Sequence, residues 1–189
     1  MQQALRSVLP EKVYFMGGEP TVAGDLPAML RFAKEALGAR TCLGHTNGSR
    51  LPLPHLDGAN VGLKAWDEEV HLALTGRPKG PIFDNFAAAF EAGLELKANV
   101  VFIPGLVDAD QVEAIAAWLA ALGRGIPFHV MGYIPVPGQP YRQPTEQEMA
   151  AVVAACRKHL TAVGSSRLSG REALDLSARD DRFAVRQIA

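Results

Sequence analysis

Five short segments of this chain carry the residues best suited to gripping a ligand. They are Gly17-Gly18-Glu19-Pro20-Thr21, His45-Thr46-Asn47-Gly48, Lys64-Ala65-Trp66-Asp67, Pro104-Gly105-Leu106-Val107-Asp108 and Gly132-Tyr133-Ile134-Pro135-Val136-Pro137-Gly138. Together they offer a carboxylate, a carboxamide, an ammonium group and glycines whose bare backbone lets a ligand come close. That is a chemistry of holding and orienting. Taken singly, each segment has an ordinary explanation: Gly-Gly, Pro-Gly and Asn-Gly pairs make turns, and a lone lysine after a strand is usually solvated.

Other chemistries lack their patterns. His45, His55, His71, His129 and His159 are scattered and form no HxH or HExxH, which argues against a zinc site. The ordinary role for His45 and His129 is that of hydrogen-bonded structural histidines. Ser165, Ser166 and Ser169 lack a GxSxG elbow. Gly123-Arg124-Gly125 follows a helix, whereas a dinucleotide fingerprint follows a strand. Asp67, Glu68 and Glu69 read as helix-starting acids, and Trp66 and Trp118 as packing residues. The two cysteines, Cys42 and Cys156, are too far apart for a metal-ligand pair or a disulfide framework by spacing, and read as buried free thiols.

The elements that must position these residues alternate. Val13 to Met16 is a short apolar strand stopped by Gly17-Gly18. A helix runs from Asp25 to about Leu37, with Gly38 as its stop. Arg40 to His45 is a second strand, Ser49 to Leu56 loop or poor helix, and Asn60 to Leu63 a third strand. Helices follow near Glu68–Leu74 and Ile82–Leu96. Asn99 to Ile103 is the fourth strand, and Asp108 with Gln111 resembles a capping box for the next helix, ended by Gly123. Ile126 to Tyr133 is the fifth. Thr145 and Glu148 make a capping box for a helix to about Leu160. Beyond Gly164 the chain turns polar, with a terminal strand expected at Phe183 to Ile188.

Strands alternating with helices imply right-handed βαβ units and a parallel sheet. In such folds the five segments all leave the same ends of the strands, the rim where barrels and doubly wound sheets place their ligands. With 189 residues, one domain is expected. The net charge of -1 offers no nucleic-acid footprint, and no apolar run spans a bilayer. Met1 to Pro10 is too short and polar for a signal-peptide core, so the expected compartment is the cytoplasm.

The ordered set of motifs resembles the radical SAM superfamily, and within it the pyruvate formate-lyase activating enzymes, the activases of glycyl radical enzymes. Phe15-Met16-Gly17-Gly18-Glu19-Pro20 resembles their GGEP motif, Thr46-Asn47-Gly48 the TNG ending the next strand, and Gly62-Leu63-Lys64 their aspartate-leucine-lysine strand, with glycine for the aspartate. Phe102 to Asp108 resembles their valine-proline-glycine strand and helix cap. Met131 to Pro135 resembles their last barrel strand, and Leu74-Thr75-Gly76 fits the segment between.

The resemblance implies an α/β fold: a partial parallel (β/α) barrel missing its first βα unit, over residues 1–164, with a C-terminal extension at 165–189. It also implies S-adenosylmethionine as cosubstrate. Gly17, Gly18 and Glu19, with Pro20, would receive the methionine ammonium. Lys64 would take the carboxylate with help from Asn47, and Ile103, Gly105 and Tyr133 would border the adenine. The family holds a [4Fe-4S] cluster by a CxxxCxxC loop upstream of GGEP, and uses it to cleave the cosubstrate to a 5′-deoxyadenosyl radical. That motif is absent here. A segment upstream of this chain, a separate polypeptide, or true loss would each account for it. The expected alternatives are therefore a radical SAM enzyme acting on a glycyl radical enzyme, and a cluster-less SAM-binding or interaction subunit. The missing unit also predicts marginal stability or a covered sheet edge.

Overall fold

Exposed Tyr14 beside buried Phe15 shows the two-residue alternation of the first strand. The computed structural model describes residues 10–178. Strand β1 (Lys12–Phe15) leads through a 3-10 turn (Pro20–Val22) to helix α1 (Leu26–Arg31), which continues as a π turn (Phe32–Ala36). Then come β2 (Arg40–Thr46), β3 (Gly58–Gly62), α2 (Glu68–Thr75), α3 (Gly80–Glu91), β4 (Glu95–Phe102), α4 (Ala109–Leu122), β5 (Phe128–Gly132), α5 (Glu146–Arg157), β6 (Val163–Ser166) and α6 (Gly170–Ala178).

The described residues form two units, one of 10–61 with 82–96 and one of 62–81 with 97–178. In the first, β1, β2 and β3 pair in parallel, with Phe15 level with Leu43 and Leu43 level with Ala59; the register slips between Leu43 and Thr46. In the second, β4, β5 and β6 pair in parallel, with Val100 level with Val130 and Val130 level with Ser165. Strands β3 and β4 run through both units. In the first, Glu95 N donates to Asp57 O (2.9 Å), and in the second, Leu63 N donates to Asn99 O (2.8 Å). The strand order is β1-β2-β3-β4-β5-β6. This is the expected α/β class, parallel strands joined by helical crossovers except between β2 and β3, consistent with a partial (β/α) barrel.

The alternation sorts each strand's residues. In the first unit Phe15, Leu43, Ala59 and Val61 share the buried face, and Leu30 of α1 and Phe86 of α3 add to its core. In the second, Ala98, Val100, Phe102, Phe128, Val130 and Val163 make the buried row, and Ile115, Leu119 and Val152 of α4 and α5 are buried with them. Each of the Val, Leu, Ile and Phe side chains among them contributes roughly 1.5–3 kcal/mol by leaving water. On the other face Tyr14, Cys42 and Gly58 lie level in the first unit, and Asn99, His129 and Gly164 in the second.

Several expectations shift. The helix expected over 82–96 stops at Glu91, because Gly93 takes a left-handed conformation (φ 82°) and Glu95 already begins β4. The β2–β3 connection is loop. The capping box at Asp108 does not form: its carboxylate accepts from Gly105 N (2.8 Å), and Gln111 bonds to Leu106 O and Asp67 N. The box at Thr145 and Glu148 is complete. Strand β6 and helix α6 lie in the polar stretch where no element was expected. The strand expected at 183–188 lies outside the described residues.

Candidate functional site

The first unit builds its part of the site from the end of β1. Gly17 has φ 120°, a conformation side chains oppose, so glycine is needed there. A Cβ added to Gly17 or Gly18 would meet no atom of the described residues within 4 Å, so among them this backbone faces open space. Glu19 then N-caps the 3-10 turn, and buried Pro20 takes the first helical position, where its missing N–H costs nothing.

The Glu19 carboxylate is heavily engaged. Oε1 accepts from Thr21 N (3.1 Å), Thr21 Oγ1 (2.7 Å) and Thr46 Oγ1 (2.7 Å), and Oε2 accepts from Asn47 N (2.6 Å). It therefore clamps the loop after β1 to the end of β2. Burial pushes its pKa up, but the donated hydrogen bonds, Asn47 N–H foremost, outweigh burial and hold it below the ordinary 4.5. The side chain's first task is positional: three donors crowd Oε1, and the remaining acceptor capacity is at Oε2.

Asn47 is bound locally as well, its Oδ1 accepting from Ser49 N (2.8 Å). Gly48 is buried with φ 77°, and a Cβ there would lie 2.9 Å from Val61 Cγ1. Its carbonyl accepts from Asn85 Nδ2 (3.1 Å). Arg50 Nη1 donates to Thr21 O (3.0 Å), tying the β2–β3 loop back to the turn. Thr21, Thr46, Arg50 and Asn85 were not among the expected site residues. The two threonines stood inside the motifs and were legible as donors. Arg50 and Asn85 carry no signal in sequence.

In the second unit Lys64 follows β3 and is exposed, and no ion pair among the described residues engages it. Lys79 lies 4.3 Å over the Trp66 ring and donates to Trp66 O, so the loop before α3 folds back on this segment. Asp67 caps α2 by accepting from Val70 N (2.9 Å). Ile103 is buried and exchanges hydrogen bonds with Val107, closing a turn with Gly105 at φ 85°. Tyr133 is half-buried; its hydroxyl accepts from Val136 N (3.3 Å) and its ring meets Tyr141 edge-on.

A cleft of about 630 Å³ lies in this unit, lined by Phe102, Gly105, Asp108, Asp110, Arg142 and Glu148 among others. Of the expected residues only Gly105 borders it; Ile103, Tyr133 and Lys64 do not. The structure therefore brings Gly17, Gly18, Glu19, Pro20 and Asn47 together in one unit, while Lys64, Ile103, Gly105 and Tyr133 belong to the other.

The cysteines do not suit an iron–sulfur cluster. The chain has two, and such clusters take their irons on several closely set thiolates. Cys42 is buried in β2, and Cys156 is fully buried in α5, where burial pushes its thiol up to about 11. Among the described residues no three His, Cys, Asp or Glu side chains gather as a metal site. No helix among them is long and apolar enough to cross a membrane.

Residues 3–119 match the sequence profile of the Radical SAM superfamily. A protein of Methanocaldococcus jannaschii described as a glycyl-radical enzyme activating enzyme is 30% identical over 132 residues, covering 66% of this chain and 50% of that protein. The chain thus spans about half the length of that relative. The fold matches a domain of a pyruvate-formate lyase-activating enzyme from Bacteroides vulgatus, with a TM-score of 0.67 and 20% identity, over 82% of this chain and 98% of that one. It also matches Streptococcus suis SuiB bound to S-adenosylmethionine, with a TM-score of 0.65 and 17% identity, over 87% of this chain and 42% of that one. The profile covers well over half of the chain, and with it the clamped GGEP and TNG loops: the chain belongs to the radical SAM superfamily.

Proposed function

We propose that this chain binds S-adenosylmethionine as the cosubstrate-holding part of a radical SAM protein of the glycyl-radical-activase kind. The observation that carries the reading is the Glu19 clamp, which fixes the loops after β1 and β2 while leaving the Gly17-Gly18 backbone open. An α-amino acid headgroup needs acceptors for its ammonium and donors for its carboxylate. The Gly17 and Gly18 carbonyls and Glu19 Oε2 would hold the ammonium. Lys64, with Asn47, would hold the carboxylate. Ile103, Gly105 and Tyr133 would flank the adenine. When bound, the cosubstrate supplies a sulfonium whose reductive cleavage yields a 5′-deoxyadenosyl radical; the part of this chain is to hold its ends and keep the backbone pre-shaped.

The [4Fe-4S] cluster of the family has no fitting ligand set in this chain, and no step is routed through it. A second reading stands beside it: a cluster-less SAM-binding or interaction subunit, one half of a split enzyme or an inactive remnant. Action on a glycyl radical enzyme is supported by the 30% identical relative and stands as a proposal beside the binding step.

Calorimetric titration of the chain with S-adenosylmethionine tests the binding step. Lys64→Ala is expected to weaken affinity by about tenfold to a hundredfold, the range of a charge-assisted hydrogen bond. Gly18→Ala adds a methyl that meets no atom of the described residues, so a lost affinity with unchanged stability reports a ligand over that backbone. Wild-type affinity in both variants would remove this site.

A further inference from the structure

Gln111 is freed from the role its spacing suggested. The Asp108 carboxylate accepts from Gly105 N (2.8 Å), and no capping box forms at the start of α4. The Gln111 carboxamide reaches instead to two backbone groups outside the helix. Its Oε1 accepts from Asp67 N (3.2 Å), and its Nε2 donates to Leu106 O (2.9 Å). Asp67 ends the Lys64-Ala65-Trp66-Asp67 segment after β3. Leu106 follows Gly105 in the turn that Ile103 and Val107 close after β4. Both segments belong to the second unit, and one neutral side chain joins them. The helix that carries it is firmly seated: Val112, Ile115, Ala116 and Leu119 of α4 are fully buried. The Lys64 segment has a second hold from Lys79 Nζ, which donates to Trp66 O.

We propose that Gln111 is a positioning residue: it sets the separation between the Lys64 segment and the Gly105 turn, and so the length of ligand that the second unit grips at both ends. This role rests on the proposed function, in which Lys64 takes the methionine carboxylate and Gly105 borders the adenine. The chemistry of the side chain carries it. The bridge needs an acceptor for one backbone N–H and a donor for one backbone C=O, on a single group without charge. Glutamine supplies both; ionised glutamate only accepts, lysine and arginine only donate, and methionine does neither to any useful extent. A ligand held at two linked ends gains from the second grip only when the grips are spaced to match it. Fixing both segments to one buried helix holds that spacing before any ligand arrives.

Two variants of the full chain test this, Gln111→Met and Gln111→Glu, each titrated with S-adenosylmethionine by calorimetry beside the wild type. Gln111→Met removes both bonds. Gln111→Glu keeps the acceptor for Asp67 N and loses the donor to Leu106 O. Hydrogen exchange at the Asp67 amide, read without ligand, reports which bond is gone. The expected result is an affinity about tenfold weaker in both variants. Asp67 exchange should quicken in Gln111→Met alone. Affinity lost only in Gln111→Met, in step with Asp67 exchange, would mean that one bond props the segment and no spacing is set, and would overturn the proposal. Wild-type affinity in both variants, or unchanged Asp67 exchange in Gln111→Met, would overturn it as well. Should Gln111→Met fail to fold, Gln111→Glu decides alone: weaker binding with a protected Asp67 amide supports the role, and unchanged binding removes it. A wild type that gives no saturable heat would instead sink the proposed function, and this role with it.

Discussion

Glu19 receives four hydrogen bonds from protein donors, so its removal reaches beyond one side chain. Glu19→Ala leaves the buried Thr46 hydroxyl without its acceptor, and is expected to cost about 1–3 kcal/mol in urea unfolding at pH 7. The sign with pH follows from the lowered folded pKa. The stabilisation is fully present above the unfolded value near 4.5 and fades as pH falls through the lower folded value. Unfolding midpoints of wild type and Glu19→Gln should therefore differ at pH 7 and converge toward pH 3; a constant difference would refute the ionic role. Gly48→Ala tests the neighbouring loop. Its φ of 77° and the 2.9 Å approach to Val61 predict a loss of at least about 1–2 kcal/mol, while Gly18→Ala should stay within about 0.5 kcal/mol. Thermal melts of the two variants side by side check the contrast.

Helix α5 shows what a local signal can specify. Thr145 Oγ1 accepts from Glu148 N (3.2 Å) and the Glu148 carboxylate accepts from Thr145 N (2.7 Å). Arg142 adds a two-armed pair to Glu148, first among the causes that hold that exposed carboxyl down at about 2. Thr145→Ala should cost about 1 kcal/mol by calorimetry, the usual worth of an N-cap. A loss below 0.3 kcal/mol would mean the Arg142 pair carries the start of this helix. This box was legible because donor and acceptor sit three residues apart. The false one at Asp108 had the same spacing, but Gly105 N competes for its carboxylate, a contact set by the turn that Ile103 and Val107 close. Apolar runs located five strands. The sixth, Val-Gly-Ser-Ser, escaped because only Val163 faces the core and the rest carries glycine and hydroxyls. Motif spacing gave the site loops, while Arg50 and Asn85 act across long sequence separation and leave no periodic trace.

For the molecule as a whole, the thiols decide what the chain can hold alone. Anaerobic reconstitution of the 189-residue chain with iron and sulfide should give no stoichiometric cluster and no reduced-cluster resonance, with Cys42→Ser and Cys156→Ser behaving alike. A cluster lost in Cys42→Ser would overturn this. Strand β1, at one end of the described strand order, carries Tyr14 at 56% exposure, and Met16 just after it is 70% exposed. Edge strands with exposed apolar side chains promote association, so concentration-dependent scattering should fall in Tyr14→Lys with Met16→Lys. Unchanged scattering would place the sticky surface elsewhere.

The ammonium of Lys79 above the Trp66 indole gives this protein a built-in optical signal. An overlying cation perturbs the excited state of an indole, and the chain has just one other tryptophan, Trp118, in α4. Emission from a Trp118→Phe background would thus come from a chromophore two residues from Lys64. Steady-state fluorescence could then follow occupancy of that segment in real time, with no dye attached.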